Sequence, residues 1–232
     1  MISRSMRIGL DQGAVLDADL ALPEEPRGIV VFAHGSGSSR RSPRNLYVAS
    51  RLHTGGFATL LFDLLTPGEQ RIDEVTRELR FDVPLLASRL LAVTRALASD
   101  SALPTWRGYF GASTGAAAAL VAAAAEPKLV DAVVSRGGRP DLAGSALEAV
   151  RAPTLLIVGG EDLQVLELNE RALAALHCSK ALAVVPGATH LFEEPGTLDD
   201  VCDHAVAWFG RHSLPVPAPA GRPQVSIERS NE

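Results

Sequence analysis

The sequence of 232 residues contains only two cysteines, Cys178 and Cys202, which form neither a metal-binding spacing nor a disulfide framework. Its longest apolar run, residues 116–125, is too short to cross a bilayer. The N-terminus has no apolar segment like that of a signal peptide. We therefore expect a cytoplasmic protein with no membrane partner.

The charge balance also excludes some classes of protein. A net charge of -5 and a pI near 5.7 give no case for nucleic acid as a partner. Hydrophobic residues make up 47% and charged residues 21% of the chain, which is typical of a globular protein. We expect one domain over residues 1–212. Residues 213–232 contain four prolines and predict a mobile tail. Nothing in the sequence sets the oligomeric state.

Apolar runs rich in β-branched residues alternate with segments of helical periodicity, and this alternation predicts the fold. The expected buried strands comprise residues 28–33, 58–64, 106–111, 130–135, 153–158 and 181–185. The expected helices comprise residues 45–53, 113–125, 165–176 and 198–209, and one from 82 or 84 to 98. This order predicts an α/β fold with a mostly parallel sheet and helices on both faces. We expect residues 15–22 to form an exposed strand near a sheet edge and residues 66–73 to be irregular.

The pentapeptide Gly111-Ala112-Ser113-Thr114-Gly115 has the pattern G-x-S-x-G and joins an expected strand to an alanine-rich expected helix. In a nucleophile elbow of this kind, a sharp turn exposes the serine hydroxyl at the top of a sheet. The glycines let neighbouring backbone pass where a Cβ would clash. Ser113 is therefore the candidate nucleophile, provided that the chain also supplies a base, an acid and oxyanion donors.

His190 is the candidate base, because of the six histidines it is the one in a loop directly after a late buried strand. The base needs an acid that fixes its tautomer. Asp162 follows a Gly-Gly turn at the end of another strand, and its neighbour Glu161 is the alternative acid. The order Ser113, Asp162, His190 is the one that the α/β-hydrolase fold uses. All three follow strands, whose carboxyl ends meet at one edge of such a sheet.

Two backbone donors are expected to bind the oxyanion of a tetrahedral intermediate. One is the N–H of Thr114 at the start of a helix. The other is expected in the loop of residues 34–39, at Ser36, although this loop is alternatively a simple connector. The loop lacks the third glycine of a dinucleotide fingerprint and the GK[ST] of a phosphate loop. We expect no metal and no organic cofactor.

Four segments resemble α/β hydrolases of the dienelactone-hydrolase-like group. They are His34-Gly-Ser-Gly, Gly-Ala-Ser113-Thr-Gly, Gly-Gly-Glu-Asp162 and Gly-Ala-Thr-His190-Leu-Phe. More narrowly, the chain is similar to bacterial hydrolase domains that are sometimes fused behind a phosphoribosyltransferase. The resemblance covers about residues 5–212 and implies the α/β-hydrolase fold with a Ser–His–Asp triad. Dienelactone hydrolases proper use a cysteine where this chain has Ser113, so the resemblance does not imply dienelactone as the substrate.

The expected surroundings of Ser113 suggest a substrate class. The stretch between residues 135 and 153 leaves no room for a large lid, which favours small soluble esters. Arg136 and Arg139 are expected on the rim beside the elbow, and Arg40 and Arg41 extend the loop of residues 34–39. These arginines could bind a substrate carboxylate or phosphate. Alternatively, they are surface residues or partners of Asp141.

The sequence thus predicts a serine hydrolase that cleaves a small carboxylic ester, lactone or thioester through an acyl-enzyme on Ser113. Its partner would be a small-molecule ester. An acyltransferase or serine peptidase would use the same triad, and a ligand-binding protein that keeps the fold without catalysis is a further alternative. Asp63 and Glu69 are expected to be mainly structural.

Overall fold

The structure is a computed structural model and describes residues 1–10 and 13–213. Its strands are β1 (Ile2–Gly9), β2 (Val15–Leu22), β3 (Ile29–Ala33), β4 (Ala58–Phe62), β5 (Arg107–Ala112), β6 (Ala132–Arg136), β7 (Thr154–Gly159) and β8 (Lys180–Val185). Its α-helices are α1 (Pro43–Thr54), α2 (Pro67–Thr76), α3 (Val83–Ser99), α4 (Thr114–Ala125), α5 (Ala146–Ala149), α6 (Leu163–Ala175) and α7 (Thr197–His212). Short 3-10 helices comprise Leu79–Phe81 and Pro140–Ala143.

All eight strands join one sheet in the order β1-β2-β4-β3-β5-β6-β7-β8. The pairs from β4 across to β8 are parallel, while β1 and β2 are antiparallel additions. The mostly parallel sheet predicted from the sequence is therefore confirmed. Strand β1 was not expected, because most of its side chains are exposed and it lacks a buried pattern. It takes the edge of the sheet and places β2 one position inside.

Helices cover both faces of the sheet, as predicted. In β3, Val30 and Phe32 point to a core shared with α1 and α7, while Ile29 and Val31 point to a core shared with α3 and α4. This alternation follows from the two-residue period of a strand. A strand buried on both faces needs a continuous apolar run, which is why the sequence located β3.

Residues 66–73 form most of helix α2, so the expectation of an irregular segment is wrong. The Thr66 hydroxyl accepts a hydrogen bond from Glu69 N–H, and the Glu69 carboxylate accepts one from Thr66 N–H. This is a capping box, with Pro67 in the first turn. Glu69 also pairs with Arg89 on α3. The sequence Thr66-Pro-Gly-Glu69 has the pattern of a capping box, which indicates a helix start, although its polar composition favours a loop.

The connection between β6 and β7 holds only the 3-10 helix Pro140–Ala143 and the four-residue α5. No large lid is inserted at this point, in agreement with the sequence. No helix in the described ranges is both long and apolar enough to cross a membrane. Residues 214–232, almost all of the predicted mobile tail, lie outside the described residues.

Candidate active site

Ser113 lies at the turn between β5 and α4, with a φ of 50°. Both glycines of its motif sit where a side chain cannot fit. A Cβ on Gly111 would lie 2.5 Å from Ala116 Cα, and one on Gly115 would lie 2.1 Å from Ala33 O. The turn therefore brings α4 so close to β5 and β3 that both glycines of G-x-S-x-G are required by packing.

His190 and Asp162 are joined by a hydrogen bond of 2.6 Å between His190 Nδ1 and Asp162 Oδ2. His190 lies in the loop after β8, and Asp162 lies between β7 and α6. The Asp162 side chain is 15% exposed and that of His190 is 39% exposed. A carboxylate accepts a hydrogen bond from Nδ1–H, which leaves Nε2 as the nitrogen that can take up a proton. Glu161, the alternative acid, is exposed beside this pair.

Ser113 and His190 line one cavity of about 220 Å³. Its wall comprises Gly35, Ser36, Ser38, Ser42, Arg44, Asn45, Ala112, Ser113, Arg136, Gly137, His190 and Leu191. In the part of the chain that the structure describes, no hydrogen bond joins Ser113 Oγ to His190. Catalytic contacts of this kind often tighten only when substrate binds. The structure thus brings the three predicted triad residues to one edge of the sheet.

The residues predicted to bind an oxyanion also meet at Ser113. We call residues 34–39 the oxyanion loop. A Cβ on Gly35 would lie 3.1 Å from Ser113 Cβ, so this loop passes directly over the elbow. Ser36 lines the cavity. Thr114 is the first residue of α4, and its N–H therefore has no partner within the helix. A helix N-terminus also carries a partial positive charge, which favours an anion.

His34 holds the base of the oxyanion loop, a role that the sequence did not reveal. The ring is 8% exposed, and its Nε2 accepts a hydrogen bond from Leu64 N–H at 3.1 Å. Its Nδ1 therefore carries the proton and donates a hydrogen bond to Gly35 O at 3.0 Å. Burial lowers the pKa of His34, which keeps the ring neutral. Its partner Leu64 is 30 positions away in sequence, so no local pattern could indicate this contact.

An ion pair whose carboxylate is buried lies against the same loop. Arg80 Nε donates to Asp73 Oδ2 at 2.6 Å, and Arg80 N–H donates to Asp73 Oδ1 at 2.9 Å. Asp73 is 1% exposed. A Cβ on Gly37 would lie 3.4 Å from Arg80 Nη1, so the guanidinium sits against the tip of the oxyanion loop. The segment between β4 and α3 therefore supports this loop from outside.

Two of the arginines predicted to bind substrate form ion pairs with carboxylates of the protein. Arg40 forms ion pairs with Asp63 and Asp19. Arg139 makes a bidentate pair with Asp141, with both hydrogen bonds at 2.8 Å. Asp63 thus has the structural contact expected of it. Both guanidinium groups are held by protein anions, and neither residue is among those that line the cavity beside Ser113.

Arg136 differs from these two, because it lines the cavity. It is the last residue of β6 and is 6% exposed. Arg44 on α1 lines the cavity as well, and sequence reasoning did not single it out. Arg44 lies in the first turn of α1, and no sequence motif at this position indicates a site residue.

Comparisons with known proteins agree with this architecture. A dienelactone hydrolase from Anabaena variabilis is 54% identical in sequence, with a TM-score of 0.89 over 92% of this chain and 99% of that chain. The esterase domain of a Rhodothermus marinus protein has a TM-score of 0.71 over 91% of this chain and 99% of that chain. Its sequence is 21% identical, so this second likeness shows the fold alone.

Two putative phosphoribosyl transferases from Mycobacterium tuberculosis, of strains CDC 1551 and H37Rv, are each 63% identical over 205 residues. The matched part is 87% of this chain and 45% of each relative, so the chain spans less than half of their length. The dienelactone hydrolase family model matches residues 16–211. On this match, the chain belongs to the dienelactone hydrolase family.

Proposed function

We propose that this chain is a serine hydrolase that cleaves a small carboxylic ester, lactone or thioester through an acyl-enzyme on Ser113. Its membership of a hydrolase family supports hydrolysis in general. The observation that carries the finer proposal is the shared cavity of Ser113 and His190, with His190 Nδ1 bound to Asp162. A nucleophile, a base and an acid that orients the base are the parts that acyl transfer needs.

The steps follow from the tautomer of His190. Because Asp162 accepts a hydrogen bond from Nδ1–H, Nε2 is free to take the proton of the Ser113 hydroxyl. The Ser113 oxygen then bonds to the carbonyl carbon, and the imidazolium returns the proton to the leaving alkoxide or thiolate. A water molecule attacks the acyl-enzyme in the same manner and releases the acid and Ser113.

The tetrahedral intermediates place a negative charge on the former carbonyl oxygen. We propose that the backbone N–H groups of Thr114 and Ser36 bind it. The closeness of Gly35 to Ser113 supports this, because it brings the oxyanion loop within reach of the reacting carbon. Fixed donors of this kind need no rearrangement during the reaction, and each typically contributes about 3 kcal/mol.

Small substrates are favoured by the dimensions of the site. The cavity of about 220 Å³ is below the size of a typical pocket for a drug-sized ligand, roughly 300–1,000 Å³. The β6–β7 connection also provides no lid to shelter a long acyl chain. We expect kcat/KM to fall as the acyl chain of a para-nitrophenyl ester is extended from acetate to octanoate. A rise with chain length would contradict this part of the proposal.

The transferase name of the curated relatives refers to proteins more than twice as long as the matched part. We propose hydrolase chemistry only for the part that this chain shares with them. The nucleophile elbow and the His190–Asp162 pair are the groups that this chemistry would use.

Covalent labelling tests the proposal directly. A fluorophosphonate should form a bond between its phosphorus and Ser113 Oγ with loss of fluoride, seen as a mass increase on the peptide that contains Ser113. Ser113→Ala should abolish both the adduct and the hydrolysis of para-nitrophenyl acetate. Ser88→Ala is the matched control, because Ser88 is an exposed serine on α3. A folded protein that is neither labelled nor active would favour a ligand-binding role instead.

A further inference from the structure

Arg136 places a buried cation beside the candidate nucleophile. Its backbone C=O accepts a hydrogen bond from Ser113 N–H at 3.3 Å, so the residue is adjacent to the elbow. The side chain is 6% exposed and lines the cavity that contains Ser113. An arginine so fully buried normally has an acidic partner, because an unpaired charge is costly to remove from water.

The protein contacts of the Arg136 guanidinium are all neutral. Its Nη2 donates to Asn45 Oδ1 at 3.3 Å, and its Cζ lies 5.9 Å from the centre of the Phe192 ring. Its Nε is buried without a hydrogen-bond partner. Within residues 1–10 and 13–213, no carboxylate lies at ion-pairing distance from it. Arg40, Arg80 and Arg139, described above, all have carboxylate partners.

A second cation increases the positive charge of the same wall. Arg44 lines the cavity, and its Nε is also buried without a partner. Its Nη1 donates to Glu193 at 2.9 Å, at the more exposed end of the side chain. No aspartate or glutamate is among the residues that line the cavity.

Burial, and secondarily the charge of Arg44, lowers the pKa of Arg136 to about 10. The guanidinium therefore remains protonated at neutral pH. Arg136 and Arg44 thus both line one small cavity, and of the two only Arg44 is paired with a carboxylate, that of Glu193. A planar guanidinium with free N–H groups is suited to a carboxylate or phosphate, which accepts two parallel hydrogen bonds.

We propose that Arg136, assisted by Arg44, forms a subsite for an anionic group of the substrate, so that the preferred substrates are esters carrying a carboxylate or phosphate. The inference rests on the proposed function, because the subsite shares its cavity with Ser113. Arg136 thereby selects substrates by charge, while Ser113, His190 and Asp162 perform the reaction.

The test compares two esters of similar shape, para-nitrophenyl hemisuccinate, which is anionic, and para-nitrophenyl levulinate, which is neutral. The native protein should prefer the anionic ester. Arg136→Met, which keeps an unbranched side chain against Phe192, should lower kcat/KM for the anionic ester by about ten-fold or more and for the neutral ester by less than about three-fold. Arg136→Lys should restore part of the preference.

Arg171→Met is the matched control, because it removes the same charge from an exposed pair with Glu167 on α6. It should leave the preference unchanged. Equal losses for both esters in Arg136→Met would show that Arg136 only supports the fold and would overturn the inference. If Arg136→Met does not fold, the native protein decides, since an absence of preference for the anionic ester also overturns it.

Anion binding provides a readout that does not depend on catalysis. Calorimetry with succinate and with inorganic phosphate should show binding to the native protein and to Ser113→Ala, and a loss of about ten-fold or more in Arg136→Met. The relative affinities distinguish a carboxylate from a phosphate subsite. Binding that is the same in Arg136→Met, or absent from the native protein, would overturn the subsite even if Ser113 is labelled. Conversely, unlabelled Ser113 with intact anion binding would overturn only the proposed function.

Discussion

The two loops that flank Ser113 are held in different ways. The oxyanion loop is fixed from beneath by the buried ring of His34 and from outside by the buried Asp73–Arg80 pair. The loop of residues 186–196, which we call the histidine loop, is anchored by the buried Ala188 and Phe192, while its other residues are exposed or half-buried. Its Thr189 is exposed and is bound by Glu194 of the same loop, while His190 itself is 39% exposed.

This difference matches the two tasks proposed for the loops. Donors to an oxyanion are effective only if they are already oriented, so their supports belong in the core. A general base needs the correct tautomer, which a single hydrogen bond to Asp162 fixes. It also needs access to substrate and water. Loss of the supports of the oxyanion loop should therefore reduce stability and activity together, whereas loss of the Asp162–His190 contact should reduce mainly activity.

The largest effect is expected at Asp162. Asp162→Asn should lower kcat by about ten-thousand-fold, because an amide can donate to Nδ1 and so leave the proton on Nε2. The free energy of unfolding should change by less than about 2 kcal/mol, because a neutral hydrogen bond can remain. Glu161→Gln, at the exposed neighbour, should change kcat by less than about two-fold. Steady-state kinetics and urea unfolding would measure both quantities, and equal losses of activity in the two variants would contradict the assignment of the acid.

The next effect concerns the outer support of the oxyanion loop. Arg80→Met leaves the carboxylate of Asp73 buried without its partner, which should cost about 3–5 kcal/mol of unfolding free energy. The double variant Arg80→Met/Asp73→Leu removes both charges and should recover part of this loss. A single variant as stable as the native protein would show that the pair does not support the loop.

A smaller effect, which depends on pH, is expected at His34. Because burial lowers the pKa of His34 in the folded protein, the unfolded chain binds a proton on this ring more readily. The stability from the neutral ring is present above the unfolded pKa of about 6.5 and is lost as pH falls towards the folded value.

His34→Gln keeps an acceptor for Leu64 N–H but cannot be protonated. It should cost about 1–3 kcal/mol at neutral pH and should flatten the decline in stability between about pH 6.5 and pH 5. His53, whose pKa burial also lowers, contributes equally to both proteins and cancels in the difference. An unchanged pH slope in urea unfolding would indicate that folding does not lower the pKa of His34.

The smallest effect is expected for Glu194→Gln in the histidine loop. An amide still accepts the hydrogen bond of the Thr189 hydroxyl, and the contact lies at the surface. We expect no resolvable change in the unfolding midpoint and less than about two-fold in kcat. A large loss of kcat would mean that this loop is as rigidly supported as the oxyanion loop.

The parts of the fold that sequence could predict are those with a strong local signal. Strands β3 to β7 are almost entirely buried, and β8 is a mostly apolar edge strand that is largely half-buried. The elbow carries glycines whose absence of a Cβ is enforced by packing. Strand β1 is paired through its backbone while most of its side chains are exposed, so its residues show no apolar pattern. Helix α2 was missed because its first turn, with Pro67 and Gly68, resembles a loop in composition.

The candidate site also contains residues that a local sequence pattern predicts and residues that no local pattern distinguishes. Ser113, Asp162 and His190 each follow a strand and were found from that position. Among the three arginines predicted to bind substrate, composition could not distinguish Arg40 from Arg136. Their difference depends on which carboxylates lie nearby in space, such as Asp19 and Asp63 beside Arg40, and these distances are set by the whole sheet.

The positive φ of Ser113 affects the stability of the protein as well as the chemistry proposed for this residue. A residue with a side chain in such a conformation stores about 1–3 kcal/mol, whereas glycine adopts it freely. The additional chain entropy of an unfolded glycine offsets only about 0.4–1 kcal/mol of this. Selection for thermal tolerance alone would thus favour glycine at position 113 and remove the hydroxyl. The nucleophilic role that we propose for its hydroxyl would account for a serine at this thermodynamic cost.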